Sequence, residues 1–417
     1  MRLLLENVRG FVGTHRLDIK PLTILVGENS SGKTTLLGAL AAALQTDFPS
    51  SDTFNRSPFE LGSFDTIATY RGGKFGRSLS FKVGWESSSE GRSLVATFEN
   101  HQGIPRVHAL EISTRVASLR GNPQAGTWEL IVEKANKKQT YKFKVDPPKA
   151  NGFSLFDLPR RFLMRSREVA RRPKESNDLF EHLFELTTTT PIACIALAPL
   201  RTRPHRTYDN LIEEFKPEGD HVPLVLARIL AGDGAAENFL TTALDEFGKS
   251  SGLFDKLKVK RMGRQPSDPF QLRVKSTGPD ANLVDVGYGV SQALPIIVDS
   301  ILAPKNRVVL IQQPEVHLHP RAQAALGTFF CKLATDASKH FVIETHSDYL
   351  LDRVRIAVAD GDIKAESVNI AFLDRKGLDV KIHQLQLDES GNIENAPPSY
   401  RKFFMEEEMR LMLRGEL

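Results

Sequence analysis

The octapeptide Gly27-Glu28-Asn29-Ser30-Ser31-Gly32-Lys33-Thr34 constrains this chain more than any other stretch. It follows LTILV, an apolar run of buried-strand type, and precedes TLLGALAAALQ, a strong helix former. It fits G-x-x-x-x-G-K-[ST] at every fixed position, in the strand–loop–helix setting that the motif requires. The glycines let the backbone wrap closely around a phosphate with its N–H groups inward, and the following helix adds its positive N-terminal end. Lys33 supplies a cation for the β- and γ-phosphates, and the Thr34 hydroxyl is a ligand for Mg²⁺. A nucleotide, ATP or a close purine relative, is therefore expected against Gly27 through Thr34, continuing to Thr35. A strand–loop–helix of this kind calls for an α/β fold with a largely parallel central sheet.

The 417 residues suit one core domain with a sizeable insertion. Three blocks are expected. Residues 1–150 form an N-terminal lobe with the phosphate loop and, over 64–145, short alternating segments (SLSFKVGW, SLVATFEN, TWELIVEK, TYKFKV) that read as antiparallel β-structure. Residues 151–280 form a mainly helical insertion, with helices over 158–187 and 207–249 and strand character over 267–276. Residues 281–417 form a C-terminal lobe with buried strands at 307–313 and 340–347, a late hairpin and a terminal helix. No run approaches the ~18 apolar residues of a membrane span. Cys194 and Cys331 fit no metal spacing, which points to a reduced, cytoplasmic setting. The net charge of +4 is too mild to argue for nucleic acid by itself.

Four further segments carry a specific resemblance. VVLIQQPEVHLHP (308–320) is an apolar strand followed by two polar residues, Pro-Glu and H-L-H-P. FVIETHS ends in Thr345-His346-Ser347. VGYGVSQALP (286–295) is a glycine-rich turn opening a helix, which is an anion site in its own right. APLRTRPHRTY (198–208) is the fourth. Together with the phosphate loop these resemble the Walker B, switch-histidine and signature segments of ABC-type ATPases of the RecF, SMC and OLD kind. The resemblance implies a P-loop NTPase fold like an ABC/SMC head, with an antiparallel β lobe and a helical insertion.

It also implies a homodimer in which each nucleotide is closed by the partner's Gly287, Gly289 and Ser291. The family pattern has two acidic residues where this chain has Gln312 and Gln313, and glutamine cannot accept a proton at neutral pH as a carboxylate can. Glu315 is the nearest remaining carboxylate, with Asp285 and Glu344 as other candidates. The expectation is that Thr34, Gln312 and Glu315 hold Mg²⁺, and that Glu315, Gln313 and His346 carry a slow ATP hydrolysis. The alternative is a nucleotide-bound scaffold or sensor with little or no hydrolysis. A small-molecule P-loop kinase is disfavoured, because the signature and T-H-S segments have no task there.

The arginine-rich stretch RRFLMRSREVARR (160–172) suits a phosphate backbone or an acidic partner protein. Arg201, Arg203 and Arg206 form a second basic cluster. OLD nucleases carry a nuclease domain after the ATPase. Here 71 residues follow His346, and Asp360-Gly361-Asp362 reads as a turn. The resemblance thus leads to a separate effector protein as partner, DNA or RNA as a second possible one, and a role in anti-phage defence or DNA repair.

Overall fold

The computed structural model describes residues 1–73, 76–134, 137–147, 155–162, 173–188, 193–209, 214–230, 235–265, 268–335, 339–402, 405–406 and 409–410. Most of the arginine-rich stretch, from 163 to 172, and much of the expected terminal helix lie outside the described residues. The chain divides into two compact units. One comprises Met1–Ile19, Asn29–Cys194 and Leu373–Ile382, and the other Lys20–Glu28, Ile195–Phe372 and His383–Leu417.

The first unit is built on an antiparallel sheet. Its strands are β1 (Arg2–Val8), β2 (Phe11–Asp18), β8 (Ser80–Ser87), β9 (Arg92–His101), β10 (Ile104–Ser113), β11 (Ala117–Asn122), β12 (Thr127–Lys134) and β13 (Lys137–Lys144), in the order β13-β12-β11-β10-β9-β8-β1-β2. The short ribbons β4 (Asn55–Arg56) with β5 (Phe59–Glu60), and β6 (Tyr70–Gly72) with β7 (Gly76–Arg77), stand between β2 and β8 in the chain. Alternation in the sequence selects one face: Phe81, Val83 and Trp85 on β8 and Leu94, Ala96 and Phe98 on β9 are all buried. There Phe54, Phe81 and Phe98 pack ring against ring, with centroids 5.0 to 5.6 Å apart. The helix Lys33–Ala43 is buried nearly all round, as its unbroken Leu/Ala/Gly composition requires.

A seven-stranded sheet has most of its residues in the second unit. Its strands are β3 (Leu22–Gly27), β14 (Cys194–Leu197), β18 (Arg307–Gln312), β19 (Lys339–Glu344), β20 (Val368–Lys376), β21 (Asp379–Leu387) and β22 (Ile393–Glu394), in the order β14-β18-β19-β3-β20-β21-β22. The centre is parallel, with β18 beside β19 and β19 beside β3. LTILV, VVLI and FVI are apolar at successive positions because both faces are covered. Helices Tyr288–Leu302, Pro320–Thr335 and Asp348–Ala359 contribute Ile296, Ile297, Leu326, Phe330 and Val354 to this core.

A small antiparallel sheet, β15 (Lys256–Arg261), β16 (Phe270–Lys275) and β17 (Ala281–Asn282), packs on the helices Val222–Ile229 and Ala235–Ser251. The helix expected over 207–249 is corrected in its first part. The segments 207–209 and 214–220 are loop, with Pro217 and a left-handed Gly219 that lies against Pro295.

Candidate functional site

The phosphate loop leaves β3 at Gly27 and enters its helix at Lys33, and the boundary between the two units falls inside it, after Glu28. Three residues take positive φ: Gly27 at 147°, Ser30 at 61° and Gly32 at 99°. At Gly32 the requirement for glycine is double. The conformation is left-handed, and a Cβ would stand 2.9 Å from Phe11 Cζ. Glu28, Asn29, Ser30 and Thr34 face solvent, whereas Ser31 and Lys33 are buried, Lys33 at 3% exposure. Ser31 Oγ has no hydrogen-bond partner among the described residues. Arg375 donates to the Ser30 carbonyl at 2.7 Å. Arg9 donates to the Thr35 hydroxyl at 3.0 Å, so that side chain is engaged in bracing the helix.

In the second unit, β18 and β19 end level, and β3 beside them runs on to Gly27. Gln312 lies opposite Glu344 in the β18–β19 ladder, and Glu344 lies opposite Leu25 in the β19–β3 ladder. This row marks the carboxyl edge of a parallel sheet, where α/β folds place ligands. Beyond it the chains are tied together. Gln313, at φ 42°, donates its N–H to the Glu344 carbonyl at 2.8 Å. Thr345 donates its N–H to the Leu25 carbonyl at 3.1 Å. Pro314 then turns Glu315 back toward the end of β19. Its Oε1 accepts the His346 N–H at 2.6 Å, and its Oε2 is buried with no hydrogen-bond partner among the described residues.

Burial pushes the Glu315 carboxyl above its usual range. The His346 N–H, the Thr345 side chain and the nearby Arg201 pull it the other way. Gln312, 6% exposed, likewise has a buried Oε1 with no hydrogen-bond partner among the described residues.

The sequence places Arg201 only in a basic cluster. In the structure it is 6% exposed and clamps the end of β18, donating to the Gln312 carbonyl at 2.9 Å and the Gln313 carbonyl at 3.4 Å. Burial lowers its pKa to about 10, with Glu315 opposing the shift. Arg206 instead pairs through both guanidinium nitrogens with Asp285, at 2.6 and 3.0 Å. That bond holds the exposed Asp285 carboxyl below its usual range.

His346 is exposed immediately before Ser347, whose Oγ accepts the Leu350 N–H at 3.0 Å and donates to Gln323 Oε1 at 2.6 Å. Ser347 is thus the N-cap of the helix that follows. Gly287 occupies the N-cap position of the helix Tyr288–Leu302, with open space where a Cβ would be. Gly289 faces Leu253 and the His317 carbonyl. Ser291 is buried, and its Oγ donates to the Tyr288 carbonyl at 2.9 Å. At this N-terminus Tyr288 is 52% exposed.

His317 and His319 are exposed, and His319 Nδ1 accepts the Arg321 N–H at 3.3 Å. No group of three or more His, Cys, Asp or Glu suited to a metal ion occurs among the described residues. The acceptors present, two buried and unpartnered oxygens on Gln312 and Glu315, fit a hydrated divalent cation better than a metal held by protein alone. Among the described residues no helix is long and apolar enough to cross a membrane.

Two family models match the chain. One, described as "AAA domain, putative AbiEii toxin, Type IV TA system", matches residues 108–352, and the other, "AAA domain", matches 2–189. A curated relative, the OLD nuclease of Thermus scotoductus, is 24% identical over 397 residues. The match covers 87% of this chain, which spans 63% of the relative's length. Among solved structures, an SMC head bound to the C-terminal winged-helix domain of ScpA is 11% identical with a TM-score of 0.43, covering 93% of this chain and 98% of that one. The SMC head domain from Thermotoga maritima is 10% identical with a TM-score of 0.39, at the same coverages.

Proposed function

Because this chain belongs to the AAA-domain family, whose model matches more than half of it, we propose that it is an ATP-binding ATPase of ABC/SMC type whose nucleotide-dependent pairing controls a nucleic-acid or effector-protein interaction. The observation that carries this reading is the level row Leu25, Glu344, Gln312, with Glu315 pinned to the His346 N–H just beyond it. A phosphate loop at the end of one strand and polar groups ending its neighbours is the arrangement phosphoryl chemistry uses.

Gly27 through Thr34 receive the triphosphate, and Lys33 neutralises its charge. Thr34, Gln312 and Glu315 would hold Mg²⁺ through their oxygens, and the cation would screen the phosphate charge. Glu315 orients the attacking water and takes its proton. Burial raises that carboxyl above its ordinary pKa, which makes it a stronger base than an exposed carboxylate. Gln313 orients through its amide, and His346 faces the terminal phosphate. Across the dimer, Gly287 and Gly289 offer backbone N–H groups at a helix N-terminus, with Ser291 behind them. Anti-phage defence and DNA repair are the settings this reading favours.

A second reading, a nucleotide-bound sensor with minimal turnover, is favoured by Gln312 and Gln313, which put amides where proton acceptors are usual. Two measurements separate the readings. Calorimetric titration of Mg-ATP is expected to give saturable heat that Lys33→Ala abolishes, and no heat from folded protein would overturn both. Phosphate release that Glu315→Gln reduces by about 10²-fold or more supports the hydrolytic reading. ATP binding without release in any condition selects the sensor.

A further inference from the structure

The small sheet β15–β16–β17 has one face in the core and one toward solvent. Leu257, Phe270, Leu272 and Val274 point inward. The outward positions on the two longer strands are Lys256, Lys258 and Lys260, set against Lys275, Arg273 and Gln271 in register. Two of the three cross-strand pairs are therefore cation against cation, Lys256 with Lys275 and Lys258 with Arg273. Like charges directly opposite destabilise a ladder, so packing elsewhere has to offset this arrangement.

The contrast with the first unit is direct. There two of the lysines of β13 lie opposite carboxylates, Lys138 against Glu133 and Lys142 against Glu129. On the small sheet the compensating group is Asp280, whose carboxylate takes Lys258 at 2.9 Å and whose carbonyl accepts from Arg273. Asp245, on the helix behind, lies close enough to feel Lys256. From Phe254 to Asn282 there are seven Lys or Arg and three Asp, a net +4 that equals the net charge of the whole chain.

We propose that this cationic sheet face is a docking surface for the phosphate backbone of duplex DNA, which rests on the function proposed above and gives it a nucleic-acid partner and a place. The six outward positions carry no apolar side chain. A protein interface has an apolar or aromatic centre and is depleted in lysine, whereas backbone binding needs only cations spread along a surface. Side chains two apart on a strand are ~6.6 Å apart, so the three lysines of β15 present a cationic row over about 13 Å. DNA carries one charge per ~1.7 Å of duplex axis. Binding of this kind is independent of sequence and steeply dependent on salt.

The test uses a fluorescein-labelled duplex of about 30 base pairs, titrated into the full chain without nucleotide over a series of salt concentrations. Lys256→Ala/Lys258→Ala/Lys260→Ala is expected to weaken binding on the order of tenfold or more. It should also make the slope of log K against log salt shallower by about 0.9 for each phosphate no longer neutralised. The charge-matched Lys138→Ala/Lys142→Ala/Lys144→Ala is expected to change neither. Lys260→Glu alone, opposite the neutral Gln271, tests the face if the triple substitution disturbs folding. Equal effects of the two triple variants, or no effect of either, would overturn the proposal. So would polyglutamate competing as well as DNA, which would make this a surface for an acidic protein. A Mg-ATP titration of each variant keeps this outcome separate from that of the nucleotide site.

Discussion

At the scale of single residues, Glu315 bears the most testable chemistry. Burial raises its pKa, so the folded chain holds that proton to a higher pH than the unfolded chain does. Stability owed to the protonated form is present at low pH and lost as pH rises through the folded value. Glu315→Gln removes the penalty of the buried charge. It is expected to raise the thermal midpoint relative to wild type more at pH 8 than at pH 5, and an equal shift at both would show that the carboxyl does not titrate differently on folding. Catalysis runs in the opposite sense. A base must be deprotonated, so turnover should climb with pH across the same interval and stay flat in Glu315→Gln.

Arg201, whose role is not legible in the sequence, is informative about why. It donates to the carbonyls of residues 111 and 112 positions away. No local spacing encodes such a pairing, and a hydrogen bond to main chain leaves no mark on its partner's side chain. Ser291 is a related case: glycine-turn-serine is legible as a helix opening, but not that the hydroxyl turns back to the Tyr288 carbonyl.

At the scale of elements, strands buried on both faces are the easiest to read. LTILV, RVVLIQ and HFVIE are runs of apolar residues, and β3, β18 and β19 occupy them. KLKVKR alternates lysine with Leu257 and Val259 as a half-buried strand does, but only two apolar residues carry the period. CIAL is too short for its period to show. The helix expected from 207 fails early because the charged residues there lie in loop around Pro217 and Gly219.

One helix lends itself to a local test. Ser347 caps Asp348–Ala359 and also bonds Gln323, so Ser347→Ala should cost about 1 kcal/mol at the cap. The effect should appear as faster amide exchange at Leu350 and Leu351, with the amides of β18 unchanged. Uniform acceleration across the second unit would mean that the serine supports the whole core instead.

At the scale of the molecule, assembly is the property to test. Gly287 stands at a helix N-terminus with open space around its Cβ position, so Gly287→Arg should fold normally and bind Mg-ATP. It should nevertheless prevent pairing if this surface meets the partner's nucleotide. Light scattering of Glu315→Gln with Mg-ATP is expected to give twice the 46.4 kDa of the chain, and the double variant with Gly287→Arg only the single mass. Undiminished pairing in the double variant would remove the signature segment from the interface.

The order of strands in the parallel sheet also has a consequence for biosynthesis. β3 ends at Gly27, yet its neighbours β19 and β20 begin only at Lys339 and Val368. At 5–20 residues per second, that strand waits roughly 15–60 s for the first of them. During that interval LTILV is an unpaired, uncharged β-segment of the kind that seeds aggregation. Production of this chain should therefore be unusually sensitive to translation speed and to the supply of holding chaperones, whatever the stability of the finished fold.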